Sequence, residues 1–158
     1  MFARLMFSIV DFKARKGLVE GASESSGDNS SKHRARRTGV RGETYAYWYL
    51  RRHGYVVVAR NYMLPGVKGE IDLVGYDGPV LAFVEVKTRV ASDRDQPAPE
   101  AAVNSEKRGH LARMARQFRR ARRVESTPCR FDILAIETSA GARPQVRLHK
   151  GAFVPDSN

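Results

Sequence analysis

The sequence predicts an α/β fold, and three patterns support this prediction. Two alternating runs, at residues 69–73 and 83–87, flank an Asp77-Gly78 pair and are typical of an antiparallel β-hairpin. Amphipathic helices are predicted on either side of this hairpin, over residues 38–53 and about 106–123. Further strands are predicted at residues 55–61, 130–137 and 145–149.

Alternation assigns the side chains of the hairpin to two faces. With Asp77-Gly78 as a two-residue loop, Asp72 lies opposite Phe83 and Glu70 lies opposite Glu85. Diagonal neighbours in a sheet are about 7 to 8 Å apart, so Asp72 and Glu85 can share one cation. The polar face carries Glu70, Asp72, Glu85 and Lys87, and the opposite face, assigned to the core, carries Ile71, Leu73, Ala82, Val84 and Val86.

Three carboxylates on one patch repel each other unless a positive group lies between them. Mg²⁺ or Mn²⁺ suits such oxygen ligands, and the Val86 carbonyl adds a further oxygen donor. Lys87 points at the same site, where it can neutralise charge on a phosphate or orient an attacking water. The alternative is that Glu85 and Lys87 are ordinary solvent-facing strand residues. Apolar neighbours on the same face, such as Phe83, favour a functional site, because charge in a half-buried surface needs a partner.

Glu43 is the candidate acidic residue of the first predicted helix. It falls at helical spacing with Val40, Tyr47 and Leu50, which places its carboxylate on the inward, apolar stripe. An unpaired carboxylate there is costly, and a metal ligand or a group beside the ligands explains the inward position. A surface glutamate that favours the helix N-terminus is the alternative.

The composition predicts a polyanionic partner, because the chain contains 28 Lys and Arg but only 17 Asp and Glu, which gives a formal net charge of +11. Nucleic acid is favoured over a membrane, since no apolar run approaches the roughly 18 residues of a transmembrane helix. A single cysteine, Cys129, excludes an internal disulfide and a cysteine-rich zinc site. A reducing cytoplasm is therefore the expected location.

Cationic side chains on and near the second predicted helix are the candidate phosphate contacts. Leu111 and Phe118 belong to its buried stripe, and the arginines project elsewhere. Lys107 opposes the helix dipole at the helix start, where it can await a phosphate. A merely solvated cationic face is the alternative. The residues predicted to bind nucleic acid are Arg89, Lys107, Arg108, Arg113, Arg116 and Arg120.

Composition divides the 158-residue chain into three segments. Residues 1–37 are predicted to be a disordered or dispensable extension, because residues 21–37 contain almost nothing apolar. Residues 38–153 are predicted to form one domain, and residues 154–158 a flexible tail. The chain is long enough for one hydrophobic core and too short for two.

These motifs together resemble the YraN-like family of small bacterial proteins. The residues that carry the resemblance are Gly42-Glu43, Arg60-Asn61, Gly69 to Asp72, Phe83 to Arg89, Lys107 and Arg130 to Asp132. The family is similar to archaeal Holliday junction resolvases and thereby to the PD-(D/E)xK nuclease superfamily. The proline-aspartate that names the superfamily is here Ile71-Asp72, which keeps the aspartate.

The resemblance implies a restriction-endonuclease-like core, in which helices flank a mixed central β-sheet. It implies a metal site built from Glu43, Asp72 and Glu85, with Lys87 as the catalytic lysine, and it implies a homodimer. The expected activity is Mg²⁺-dependent hydrolysis of structured or branched nucleic acid, with DNA favoured. The alternatives are a non-catalytic nucleic-acid-binding module and a protein-interaction adaptor. Asp132 matches the family pattern far along the chain from the ligands, so a structural or supporting role is expected.

Overall fold

The computed structural model describes residues 42–90, 105–139 and 142–153. They form an α/β fold in which one mixed, five-stranded sheet is flanked by two helices, consistent with a restriction-endonuclease-like core. The predicted fold class is therefore confirmed. Helix α1 spans the described residues 42–52 and helix α2 spans Ser105–Ala121. The strands are β1 (Val56–Leu64), β2 (Val67–Asp77), β3 (Val80–Val90), β4 (Cys129–Thr138) and β5 (Gln145–Phe153).

The strands lie side by side in chain order, from β1 at one edge to β5 at the other. All neighbours are antiparallel except β3 and β4, which are parallel. Parallel neighbours need a crossover connection, and here that connection contains α2. The crossover therefore lays α2 across one face of the sheet.

Each helix covers one face of the sheet, so the central strands are buried on both sides. Tyr45 and Leu50 of α1 pack with residues such as Val84 in one hydrophobic cluster. Phe118 of α2 packs on the other face, where its ring meets that of Phe83 edge-on at 5.8 Å between centroids. The apolar face assigned to the core is thus one of two core faces.

The hairpin between β2 and β3 turns one residue later than predicted. Asp77 pairs with Val80, so Gly78 and Pro79 form the loop. Gly78 adopts the positive φ of 59° that such a turn requires. Pro79, which lacks an N–H, occupies a loop position that needs no ladder hydrogen bond. Val74 consequently lies opposite Phe83 instead of Leu81.

Two predicted faces also need correction. Ile71 packs in the α2-side cluster and not beside Leu73 on the α1 side, because the β2–β3 pairing ends at Leu73 and Val84 and strict alternation no longer applies beyond it. The buried face of α1 contains Gly42, Tyr45, Ala46 and Leu50, whereas Glu43 and Tyr47 lie at its half-buried flank.

Several predictions fall on residues outside the described ranges. These are the extension at residues 1–37, the start of the first helix at Thr38, the stripe position of Val40 and the tail at residues 154–158. Within the described ranges, no helix combines the length and the apolar character needed to cross a membrane.

Candidate functional site

Asp72 of β2 and Glu85 of β3 meet where the pairing of the two strands ends. An oxygen of Asp72, Oδ2, accepts a hydrogen bond of 2.6 Å from the backbone N–H of Val86. Just beyond the last paired residues of β2 and β3, the Asp72 side chain thus accepts the hydrogen bond that a backbone carbonyl would accept in a regular sheet. This bond fixes the Asp72 carboxylate beside the residue that follows Glu85.

Glu85 is almost fully buried, with 6% of its side chain exposed, and its two oxygens differ. Oε1 forms an ion pair with the ammonium group of Lys87 at 2.9 Å and a second ion pair with the ammonium group of Lys107 from α2. Oε2 is buried, and none of the described residues forms a hydrogen bond with it. A buried charged oxygen left unpaired is costly, so Glu85 has an unused capacity to bind a cation.

The half-buried Asp72 carboxylate lies close enough to the buried Glu85 carboxylate for their charges to interact. Burial, followed by repulsion from Glu85, raises its pKa to about 7, although the hydrogen bond from Val86 opposes the rise. For Lys107, burial lowers the pKa, but the hydrogen bond and negative charge of Glu85 outweigh this, so the net shift is upward. The site therefore favours added positive charge.

Glu43 approaches the pair from α1. Its carboxylate accepts a hydrogen bond of 2.7 Å from the Asn61 side chain, and its charge contributes to the raised pKa of Asp72. Asn61 lies opposite Asp72, between the Arg60–Leu73 and Tyr62–Ile71 pairs of β1 and β2. Glu43 is therefore held at the Asp72 side of the site.

Glycine at position 42 permits this approach of α1. Gly42 is buried, and a Cβ atom at this position would overlap Oγ1 of Thr88, the residue that follows Lys87 on β3. Any larger residue would push the first described turn of α1, and Glu43 with it, away from the sheet.

Asn61 is a site residue that sequence reasoning left without a role. Its φ of 46° lies in the left-handed region, which Asn tolerates better than other residues with side chains. Such a conformation in a strand is a cost that the surrounding structure must support. The signal in the sequence was the Arg60-Asn61 pair, which interrupts a run of strand-forming residues.

The donor set fits a magnesium-type ion with a partly open shell. Among the described residues, no three His, Cys, Asp or Glu side chains cluster closely enough to hold a metal by themselves. Mg²⁺ is commonly bound by one or two carboxylates and completes its shell with water and substrate oxygens. Asp72 and Glu85 supply that pair, and the orphaned oxygen of Glu85 is the observation that makes them fit. Direct ligation by Glu43 and by the Val86 carbonyl remains a prediction.

The cations predicted to bind nucleic acid occupy different environments. Arg113, Arg116 and Arg120 are exposed on the outer side of α2 and are called here the α2 arginine face. Arg108 lies over the ring of Phe153 at 5.5 Å. Lys107, predicted to contact a phosphate, forms an ion pair with the buried Glu85 carboxylate.

Arg89 is also engaged within the protein. It lies beside Glu137 on the neighbouring parallel strand, and its Nε donates a hydrogen bond of 3.0 Å to that carboxylate. The side chain is 23% exposed. Arg89 can therefore contribute positive charge to the nearby surface, but its guanidinium is already held by an ion pair.

A second charged network lies at the hairpin end of the sheet. Asp132 is fully buried and accepts hydrogen bonds from Arg130 at 2.9 Å, Gly151 at 2.9 Å and Tyr55 at 3.3 Å. Hydrogen bonds from Lys150 and then Arg130 hold the pKa of Asp77 below its usual value. These contacts connect β4 to β5 and to the start of β1, which agrees with a structural role for Asp132.

Comparison with known proteins identifies related sequences. The profile described as Uncharacterised protein family UPF0102 matches residues 42–136. The chain is 45% identical over 118 residues to a UPF0102 protein from Koribacter versatilis, covering 75% of this chain and 80% of that protein. A UPF0102 protein from Solibacter usitatus is 47% identical over 112 residues, covering 71% and 82%. One from Symbiobacterium thermophilum is 41% identical over 119 residues, covering 75% and 98%.

Proposed function

The chain belongs to the uncharacterised protein family UPF0102, and we propose that it is a divalent-cation-dependent endonuclease that hydrolyses phosphodiesters in structured or branched DNA. One observation carries the proposal: Glu85 is almost completely buried near the Asp72 carboxylate, and within the described part of the chain one of its oxygens has no hydrogen-bond partner. Burying an incomplete carboxylate pair is costly unless a ligand completes it.

Asp72 and Glu85 would hold Mg²⁺ or Mn²⁺. When bound, the cation would supply Lewis acidity, which polarises phosphodiester oxygens and makes water a better nucleophile. The Val86 N–H holds the Asp72 carboxylate in a fixed orientation. Because the pKa of Asp72 is about 7, this carboxyl must lose its proton before it can serve as a ligand in neutral solution.

Lys87 is the candidate group for stabilising charge on the substrate. Its ammonium group lies 2.9 Å from Glu85 Oε1, and 27% of its side chain is exposed. It can thus remain within the carboxylate site and still reach a phosphate oxygen. A positive group placed where negative charge develops lowers the barrier to phosphoryl transfer. Glu43, held by Asn61, would orient water or substrate at the Asp72 side.

Substrate binding would depend mainly on charge. The net charge of +11 and the α2 arginine face favour contact with a phosphate backbone. Contacts to phosphates position a protein without reading bases, so we expect affinity that falls with salt and varies little with sequence. A preference for branched DNA would have to come from shape.

The direct test incubates the full chain with Mg²⁺ or Mn²⁺ and with branched, nicked or single-stranded DNA. We expect cleavage by the wild type and none by the Asp72→Ala/Glu85→Ala variant. Equal cleavage by both proteins would identify a contaminant and remove the proposed activity. DNA binding by both without cleavage by either would favour the non-catalytic binding module.

Lys87→Met separates a catalytic role from a structural one. We expect a cleavage rate at least about 100-fold lower, the scale typical of losing one charge-stabilising group, with little change in the midpoint of urea unfolding. Lys68→Met, which removes an exposed lysine of β2 outside the site, is the matched control and should retain wild-type cleavage. Unfolding of the Lys87 variant would instead show that the lysine is structural.

A further inference from the structure

Two ammonium groups share one oxygen of Glu85. Lys87 reaches Oε1 from the same strand, and Lys107 reaches it from the first turns of α2. No residue in the described ranges forms a hydrogen bond with the second oxygen of this buried carboxylate. The described site is therefore neutralised from within, and positive charge is concentrated on only one side of Glu85.

We infer that Lys107 is an internal substitute for the divalent cation, which holds Glu85 in the cation-free protein and leaves it when Mg²⁺ or Mn²⁺ binds. This inference rests on the proposed function, because it requires a cation at Glu85. In this inference Lys107 positions the Glu85 carboxylate until a cation binds, whereas the sequence predicted only a phosphate contact for it.

When a divalent cation binds to Glu85, electrostatic repulsion requires one of the two ammonium groups to move away. A divalent ion bound to Glu85 would lie within a few ångströms of both ammonium groups, and like charges at such distances repel strongly in a buried site. The cation would also take over the negative charge of Glu85 with which the Lys107 ammonium group now forms an ion pair. The favourable contact of Lys107 with Glu85 is thereby lost.

Lys107 is the lysine that can move with little effect on the fold. Its side chain is 38% exposed, against 27% for Lys87. A change of side-chain rotamer would carry its ammonium group into water. Lys87 lies two residues from Glu85 on the same strand, so both side chains project from one side of β3. It therefore stays at the site when the cation binds.

Release of Lys107 would prepare a phosphate contact. The first turn of a helix lies at the positive end of the helix dipole, which is an unfavourable place for a lysine and is offset in α2 only in part by Glu106. A nucleic-acid phosphate is an anion that such a turn and a released ammonium group can bind together. Cation binding and substrate binding would then promote each other.

The first test measures Mn²⁺ binding to the full chain without DNA, using the electron paramagnetic resonance signal of free Mn²⁺. Removal of the competing ammonium group in Lys107→Met is expected to tighten Mn²⁺ binding about tenfold or more, since a hydrogen bond to a charged group is typically worth at least a tenfold change. Lys68→Met, which changes the net charge equally at an exposed position outside the site, should leave the affinity unchanged. Unchanged or weaker binding by Lys107→Met would overturn the inference.

The second test detects the movement itself. Wild-type protein is treated briefly with an amine-acylating reagent, with and without saturating Mn²⁺, and the modification of each lysine is measured by mass spectrometry. We expect Mn²⁺ to increase acylation of Lys107 several-fold while Lys68 stays constant. In Glu85→Gln, Lys107 should be reactive without Mn²⁺ and insensitive to its addition.

The outcomes separate the inference from the function on which it rests. Bound Mn²⁺ with unchanged Lys107 reactivity would overturn the exchange and leave the cation site intact. If Mn²⁺ binds to none of the three proteins, namely the wild type, Lys107→Met and Lys68→Met, both the proposed cation site and the inference are wrong.

Discussion

Replacement of Asp72 by Asn should make the stability of the folded protein less dependent on pH. Asparagine keeps the shape of the side chain and an oxygen that can accept the hydrogen bond from Val86. It removes the charge that burial and Glu85 disfavour. The substitution therefore tests the electrostatic state of the site with little change in packing.

The sign and size of the effect follow from the pKa of Asp72. This pKa is about 7 in the folded protein, against 3.8 for a free aspartate. Between these values the folded state retains a proton that the unfolded state has lost, so wild-type stability falls as pH rises from about 4 to 7. At about 1.4 kcal/mol per pKa unit, the shift corresponds to as much as about 4 kcal/mol. The cost is fully present above pH 7 and absent below about pH 4.

The assay is urea unfolding between pH 4.5 and pH 8, followed by the fluorescence of Trp48, the only tryptophan. The free energy of unfolding of Asp72→Asn minus that of the wild type should increase steadily with pH and be largest at pH 8. Asp77→Asn is the control, because the pKa of Asp77 is lowered and its stabilising charge is lost only in acid. Its difference from the wild type should stay flat in this window. A flat difference for Asp72→Asn, or a variant less stable than the wild type at pH 8, would refute the reasoning.

Three further predictions concern the fold and the charged surface. Gly42→Ala should lower the free energy of unfolding in urea by about 1 to 3 kcal/mol, because its Cβ would overlap Thr88 Oγ1. Adding Thr88→Ala to this variant should recover part of the loss, and additive effects of the two substitutions would contradict the contact. Asp132→Ala should cost about 3 to 5 kcal/mol by leaving its buried partners unpaired, and a loss below about 1 kcal/mol would argue against the network. Replacing the three residues of the α2 arginine face with glutamine should make the plot of log affinity for duplex DNA against log salt concentration less steep by roughly 3. The expected change is about 0.9 for each phosphate contact that is lost. An unchanged slope would exclude this face from DNA binding.

The hairpin faces could be predicted from the sequence even though the turn could not be placed. Moving the turn by one residue changes the partner of Val74 from Leu81 to Phe83, two positions along β3. Because side chains alternate with a period of two, such a shift does not by itself move Asp72 or Glu85 to the other face. Asp72 and Glu85 therefore came together despite the wrong register.

Positions that depend on tertiary contacts could not be predicted in the same way. Alternation places Ile71 with Leu73, but the ladder ends between β2 and β3 at that point and Ile71 packs under α2. Helix periodicity correctly indicated a basic second helix, yet it could not show that Lys107 would turn toward a buried acid on β3. Such a contact depends on how α2 crosses the sheet, which local sequence does not specify.

The most informative comparison is between two buried acids on adjacent strands, Glu85 on β3 and Asp132 on β4. Both are carried by strongly apolar strands, and the sequence separated them only by the distance of Asp132 along the chain from the candidate ligands. Asp132 receives hydrogen bonds at both oxygens, from Arg130, Tyr55 and Gly151. Glu85 has two cations at one oxygen, and its other oxygen has no hydrogen-bond partner among the residues that the structure describes. A buried acid with complete bonding stabilises a fold, whereas one with an unpaired oxygen carries a cost that a ligand can offset, and this difference supports the proposed cation site at Glu85 over one at Asp132.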